Sequence, residues 1–274
     1  MFMIAKVVIL VSCMVTSVRT MLLSDNVPRL QQVSKKRGIA YNAACLVDAL
    51  VNKKADMVSW TYNWDSKANN EMLLDLEYVP MLWGKKDFSG WRTAVEKALS
   101  GGSSHILGFN EPDLMSQANM SYSDAAKYYK EFITPYAARA QLISPAVSSS
   151  TIKGLGLDWF ECFIRDCKDC SISGLAVHWY GNSVDELKSF VSDVISTASA
   201  HGISEIWLTE FALISDTNGV SDETKTAKFL NEVLPWLDSQ PEITRYAYFY
   251  CANGYLVTND AENLIGEIYI SSSS

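Results

Sequence analysis

Two glutamates, each closing an apolar run, carry the chemistry this sequence suggests: Glu111 in His105-Ile-Leu-Gly-Phe-Asn-Glu-Pro-Asp113, and Glu210 in Ile206-Trp-Leu-Thr-Glu-Phe-Ala-Leu213. A carboxylate at the C-terminal end of a buried parallel strand faces the mouth of a barrel. Two of them, from strands on opposite sides of one mouth, can serve as acid and nucleophile in cutting a glycosidic bond. Asn-Glu-Pro halts its strand abruptly, and Pro112 stiffens the backbone beside the acid. Glu210, flanked by Trp207, Leu208, Phe211 and Leu213, is costly to bury without a partner or a task. His178, with Tyr180 two residues on, closes a third run and puts an imidazole and a phenol within reach of both acids.

These side chains need a scaffold that brings distant strand ends together. Strand-like runs fall at 38–43, 57–64, 77–84, 105–110, 140–148, 172–180, 205–211 and 245–251. Helical patterns lie between them at 91–99, 121–139, 158–166, 183–201 and 224–238, and the segments after the first two strands are shorter. The helix over 183–201 is the best marked: apolar residues recur at Val184, Leu187, Val191, Val194, Ile195 and Ala198, Ser183 with Glu186 reads as a capping box, and Gly202 follows the last turn. Strand and helix alternating eight times, with no Gly/Ser-rich linker, predicts an α/β fold of a single domain, a (β/α)8 TIM barrel. A doubly wound open sheet fits less well, because Ala40-Tyr-Asn-Ala-Ala-Cys45 follows the first strand where a glycine-rich phosphate loop would stand.

Read strand by strand, the predicted mouth collects Trp60, Tyr62, Asn63 and Trp64, then Trp83, Asn110, Glu111, Ser144 and Pro145, then His178, Trp179, Tyr180, Glu210, Phe211, Tyr248 and Tyr250. Aromatic rings that stack on sugar C–H faces, mixed with groups that bond hydroxyls, suit a carbohydrate groove. Any one of these rings could equally pack between barrel and helices; their grouping with two acids favours a ligand. The three histidines fall on different faces: His105 starts its strand at the opposite end, and His201 sits at a helix C-terminus, where its charge is favourable. A metallohydrolase would be short of ligands, so no metal or cofactor is expected.

Formal charge is −8, and the largest basic cluster is Lys35-Lys36-Arg37, too short to track phosphates, so nucleic acid is not expected as a partner. The apolar run 7–18 behind Lys6 is too short to span a membrane but suits a secretory h-region, so residues 1–20 read as a signal peptide cleaved near 17–21, and 21–274 as the catalytic domain. A secreted, extracellular chain with no membrane contact after cleavage follows. Five cysteines remain, Cys45, Cys162, Cys167, Cys170 and Cys251, and export favours disulfides over a three-thiolate metal knuckle. One local bridge is expected within 162–170. Cys45 and Cys251, just beyond the adjoining first and eighth strands, could form another. Asn119-Met-Ser121 is an N-glycosylation sequon, meaningful if the chain follows a eukaryotic secretory route.

Trp60-Thr-Tyr-Asn-Trp64, Val79-Pro-Met-Leu-Trp-Gly84, Leu107-Gly-Phe-Asn-Glu-Pro-Asp113, Ser144-Pro-Ala146, His178-Trp-Tyr-Gly181 and Ile206-Trp-Leu-Thr-Glu-Phe211 together resemble glycoside hydrolase family 128, a group of β-1,3-glucanases, over nearly the whole mature chain. Asn-Glu after strand four with Glu after strand seven is similar to the wider clan of retaining (β/α)8 glycosidases. The resemblance implies Glu111 as acid/base, Glu210 as nucleophile, Asn110 on the sugar 2-hydroxyl, and His178 and Tyr180 orienting the acids. From the strand ends, Trp60, Tyr62, Trp83 and Tyr248 are expected to form the sugar surface, and Tyr248 stands where many members have Trp. The expected activity is retaining hydrolysis of β-1,3-glucan polymers or oligosaccharides by a monomer. The alternatives are a non-catalytic glucan-binding barrel and a same-clan glycanase acting on another β-linked glucan or mannan.

Overall fold

The computed structural model describes residues 35–51, 57–69 and 76–271. The expected signal segment and its cleavage point lie outside the described residues. Eight strands form one sheet: β1 (Arg37–Tyr41), β2 (Val58–Tyr62), β3 (Glu77–Tyr78), β4 (His105–Ile106), β5 (Gln141–Ile143), β6 (Ile172–Gly181), β7 (Glu205–Leu213) and β8 (Ile243–Cys251). All pairings within it are parallel, in the order β3-β2-β1-β8-β7-β6-β5-β4. Its two ends meet: Met81 bridges Leu107 in parallel, with Leu107 N–H donating to Pro80 O at 2.9 Å and Leu82 N–H to Leu107 O at 3.2 Å. The sheet is therefore a closed barrel, as the eightfold alternation predicts.

The helices are α1 (Ala44–Val51), α2 (Trp91–Ser100), α3 (Tyr122–Phe132), α4 (Gly156–Asp166), α5 (Val184–Ala200), α6 (Glu223–Ser239) and α7 (Leu264–Ile270). The helix predicted over 121–139 stops early: Pro135 has no N–H to donate, and the chain passes into a 3-10 turn over Thr134–Tyr136. Among the described residues no helix lies between β2 and β3, and α7 and the small hairpin of β9 (Val257–Thr258) and β10 (Ala261–Glu262) extend the barrel beyond the predicted elements. The capping box on α5 is divided: Ser183 accepts from Glu186 N–H, while Glu186 Oε2 accepts from Asn182 N–H, one residue earlier than the motif implies.

Two apolar layers follow from strand alternation. Inside the barrel lie Ala40, Trp60, Tyr62, Met81, Leu107, Ala176, Trp207 and Ala247. Between barrel and helices lie Ile39, Tyr41, Leu175, Val177, Leu208, Phe211, Tyr246 and Tyr248 with the inward helix faces. Gly38 makes room for Trp60, since a Cβ there would stand 2.1 Å from the indole.

The N-terminal end of the barrel is closed by charge. Arg245 donates to Glu77 at 2.5 Å and lies 4.6 Å from the Trp207 ring, and His105 meets Glu77 at 3.0 Å, which accounts for His105 as structural. Burial pushes the Glu77 carboxyl up, but the His105 hydrogen bond and the Arg245 charge outweigh it and hold its pKa at about 2. A depressed carboxylate pKa contributes stability that is full above the ordinary value of 4.5 and lost as pH falls toward 2. We expect Glu77→Gln to cost about 1–2 kcal/mol at neutral pH, allowing for solvent screening. Denaturant midpoints should show that difference shrinking below pH 4.5 and closing near pH 2.

Cys167 and Cys170 form the local bridge. Cys45 and Cys251 do not pair. Cys45 is exposed at the start of α1 and Cys251 is buried in the core, and both are free thiols.

Candidate active site

Strand register aims two of the central side chains. On β6, His178 follows Ala176 by two residues, so alternation turns it inward, and Tyr180 follows on the same face. On β7, strict alternation from the interior Trp207 would send Glu210 outward with Leu208. Instead Val177 pairs with Leu208 and His178 with Glu210, leaving Thr209 as an extra residue on β7, and the β7–β8 pairing shifts across the same stretch. This bulge turns Glu210 into the mouth. Tyr62 braces it from below, its hydroxyl donating to Thr209 O at 2.8 Å.

Glu111 is aimed by its backbone. Its φ is +39°, in the left-handed region that a non-glycine residue occupies at a cost of about 1–3 kcal/mol. Flanking contacts hold it there: Glu111 N–H donates to Ala146 O at 2.8 Å, and Leu114 N–H to Glu111 O at 3.0 Å. Asp113 ties the same loop to the next, accepting from Ser148 Oγ at 2.5 Å and Gly156 N–H at 2.9 Å.

Glu111, His178 and Glu210 thus meet at one buried point. His178 Nδ1 stands 3.0 Å from Glu111 Oε1 and 3.4 Å from Glu210 Oε2. Both oxygens of Glu210 accept: Oε1 from the Trp64 indole N–H at 2.7 Å and Oε2 from the Tyr180 hydroxyl at 2.5 Å. Trp64 has φ +57° and packs on Tyr62, Phe249 and Tyr250.

The charges interlock. Burial pulls the His178 pKa down, but Glu210's charge and the Glu111 hydrogen bond outweigh it, and the net direction is up. Burial pushes Glu210 up; among its neighbours Glu111 adds to that, while His178, Tyr180 and Trp64 oppose it. The Tyr180 hydroxyl is driven well above its usual range by burial and by Glu210's charge, so it remains a donor. An indole N–H can only donate, so the pattern around Glu210 is that of a carboxylate. Ligand atoms of Glu111, His178 and Glu210 lie within 4.8 Å of one another, and a cation there would have to displace the hydrogen bonds just described.

Above the acids opens a cleft of about 310 Å³ lined by Asn42, Trp64, Trp83, Asn110, Glu111, Gln117, Glu210, Phe249 and Tyr250. Trp83 stands in it with Lys86 Nζ 3.7 Å from its ring centroid. Three residues expected in the groove are elsewhere. Trp60 and Tyr62 are fully buried inside the barrel, because both lie within β2, and only Trp64, past the strand's end, reaches the mouth. Tyr248 points outward against Phe211 and Tyr269, because Ala247 takes the inward position beside it. Phe249 and Tyr250 reach the cleft instead. Trp64 was expected at the mouth but not its bond to Glu210, because left-handed backbone past the end of β2 is what aims the ring. Gln117 lies on a loop with no periodicity to reveal it.

A family model described as the glycosyl hydrolase catalytic core matches residues 38–269. The alkali-sensitive linkage protein 1 of Schizosaccharomyces pombe is 33% identical over 259 residues, covering 87% of this chain, which spans 45% of that relative's length. Among solved structures, the subgroup III curdlan-specific exo-β-1,3-glucanase of Blastomyces gilchristii from glycoside hydrolase family 128, in complex with glucose, superposes with a TM-score of 0.80 at 42% identity over 88% of this chain and 99% of that one. The subgroup I endo-β-1,3-glucanase of Amycolatopsis mediterranei, in complex with laminaritriose, gives 0.72 at 26% identity over 86% of this chain and 98% of that one.

Proposed function

This chain belongs to glycoside hydrolase family 128, and from that premise we propose that it cleaves β-1,3-glucan by a retaining double displacement, as a secreted protein. The observation that carries this reading is the pair of carboxylates, with oxygens of Glu111 and Glu210 within 4.8 Å across the mouth. Inverting enzymes hold their carboxyls about 6.5–9.5 Å apart to seat a water, whereas retaining ones keep them about 5–5.5 Å apart. Water bridging two oxygens in line needs about 5.5 Å, twice a normal O–H···O distance. The shorter gap supports direct attack.

In the first step Glu210, held as a carboxylate by Trp64 and Tyr180, attacks the anomeric carbon. Glu111 gives its proton to the departing glycosidic oxygen, and a glycosyl ester forms on Glu210. In the second step Glu111 takes a proton from water, which attacks the same carbon and frees Glu210. His178 lies between the two and stabilises their negative charge through both steps. Asn110 and Trp83 offer the sugar a hydrogen-bonding amide and a flat ring. The β-1,3 linkage rests on the Blastomyces and Amycolatopsis relatives, each described as a β-1,3-glucanase.

Incubation with laminari-, cello- and manno-oligosaccharides side by side, followed by proton NMR, tests linkage and stereochemistry together. We expect only the laminari series to be cut, with the β-anomer first and the α-anomer rising by mutarotation. Cleavage of the cello or manno series would favour a same-clan glycanase of other linkage. No cleavage would leave a glucan-binding barrel, and an initial α-anomer would make Glu210 a base. Export has its own test. Mass spectrometry of protein recovered outside the cell should find a chain beginning after about residue 20, one Cys167–Cys170 bridge and free thiols elsewhere; intact Met1 would overturn secretion.

A further inference from the structure

Asn110 carries a buried acceptor with no hydrogen-bond partner. The residue is 3% exposed, its Oδ1 is buried, and one of its two amide N–H groups donates to Gln117 Oε1 at 3.3 Å. A buried acceptor left open beside a cleft needs either a partner or a ligand to supply one. Gln117 is delivered to this spot by backbone on both sides. Its own N–H donates to Leu114 O at 3.1 Å, and the next residue, Ala118, donates to Asn110 O at 3.2 Å. The loop closes one step later, with Met120 N–H on Pro112 O at 2.9 Å. Both amides line the cleft next to Glu111.

We propose that Gln117 is a positioning residue for the reaction: by occupying one N–H of Asn110 it fixes the rotation of that amide and leaves the other N–H, with Oδ1, facing the sugar hydroxyl next to the anomeric carbon. This rests on the reading of the site as a β-1,3-glucanase. An Asn amide can flip about its last torsion with little intrinsic preference, and a flip would exchange donor for acceptor at the hydroxyl. Gln117 Oε1 opposes that flip, since turning Asn110 alone would set two amide oxygens against each other. The hydroxyl contact strengthens as the ring flattens toward the oxocarbenium-like transition state, so the effect falls on kcat more than on KM.

The test pairs variants with substrates. Gln117→Met keeps the side-chain length and removes the acceptor; Gln117→Glu keeps the acceptor. Each is assayed on an aryl β-laminaribioside whose reacting residue is glucose and on its 2-deoxy counterpart. We expect Gln117→Met to lower kcat on the glucose substrate about tenfold to a hundredfold, the loss of one buried hydrogen bond at the transition state. It should change the 2-deoxy substrate less than about twofold, because no hydroxyl is left to be positioned, and Gln117→Glu should restore most of the discrimination. Equal losses on both substrates, with either variant, would make Gln117 structural and overturn the proposal, as would no loss on either. Wild-type protein inert on the glucose substrate would overturn the glucanase reading and this inference with it. Thermal unfolding of both variants near the wild-type temperature shows that any loss is not unfolding.

Discussion

Glu210→Gln is expected to abolish turnover of laminari-oligosaccharides, by more than about a thousandfold or about 4 kcal/mol, while leaving the fold and glucan binding in place. The amide has nearly the shape of the carboxylate, its carbonyl can accept from the Trp64 indole and its NH2 can donate to the Tyr180 hydroxyl oxygen, so the barrel loses little packing. It cannot form the glycosyl ester, because an amide oxygen is a poor nucleophile and the double displacement has no other carboxylate aimed at the anomeric carbon. Wild-type pH dependence belongs to the same argument. Burial raises Glu210 above the ordinary 4.5, and only the ionised form attacks. Activity should therefore fall with decreasing pH through an apparent pKa above 4.5. A Glu210→Gln protein keeping a tenth or more of wild-type activity would remove this residue from the mechanism.

Glu111→Ala should separate two substrates that the wild type handles alike. A natural glucan leaves as an alkoxide unless it is protonated, so loss of the acid should cost about a hundredfold to ten-thousandfold. An aryl glycoside with an activated leaving group needs little protonation, so the glycosyl ester on Glu210 should still form. It should then wait for a nucleophile, because the base that deprotonates water is missing. Azide needs no deprotonation and fits the space the carboxylate vacates, so added azide should restore turnover and give a β-glycosyl azide seen by mass spectrometry. Equal losses on both substrates with no azide product would deny Glu111 the acid/base role.

What the sequence by itself determined is what periodicity and residue chemistry encode. Eight apolar runs alternating with helical patterns called for a buried parallel sheet, and the missing glycine-rich loop after the first strand favoured the closed one. Glu111 and Glu210 stood at strand ends with no cheaper account of their burial. His178 and Tyr180 are two residues apart on an unbroken strand, so their shared inward face followed from the pleat. Periodicity ran out where the backbone departs from it. Glu210 reaches the mouth because Thr209 is an extra residue on β7, and Glu111 and Trp64 are aimed by left-handed backbone, none of which a local pattern specifies. Only the tertiary structure decided which aromatic rings meet the cleft. Trp60, Tyr62 and Tyr248 are the same residue types as Trp64, Trp83 and Tyr250, and what separates them is height in the barrel and the side of the sheet, set by closure between β3 and β4 and by register with neighbours. Gln117 meets Asn110 for a similar reason: two backbone hydrogen bonds fold its loop back onto the strand, and those bonds exist only once the strand end is in place.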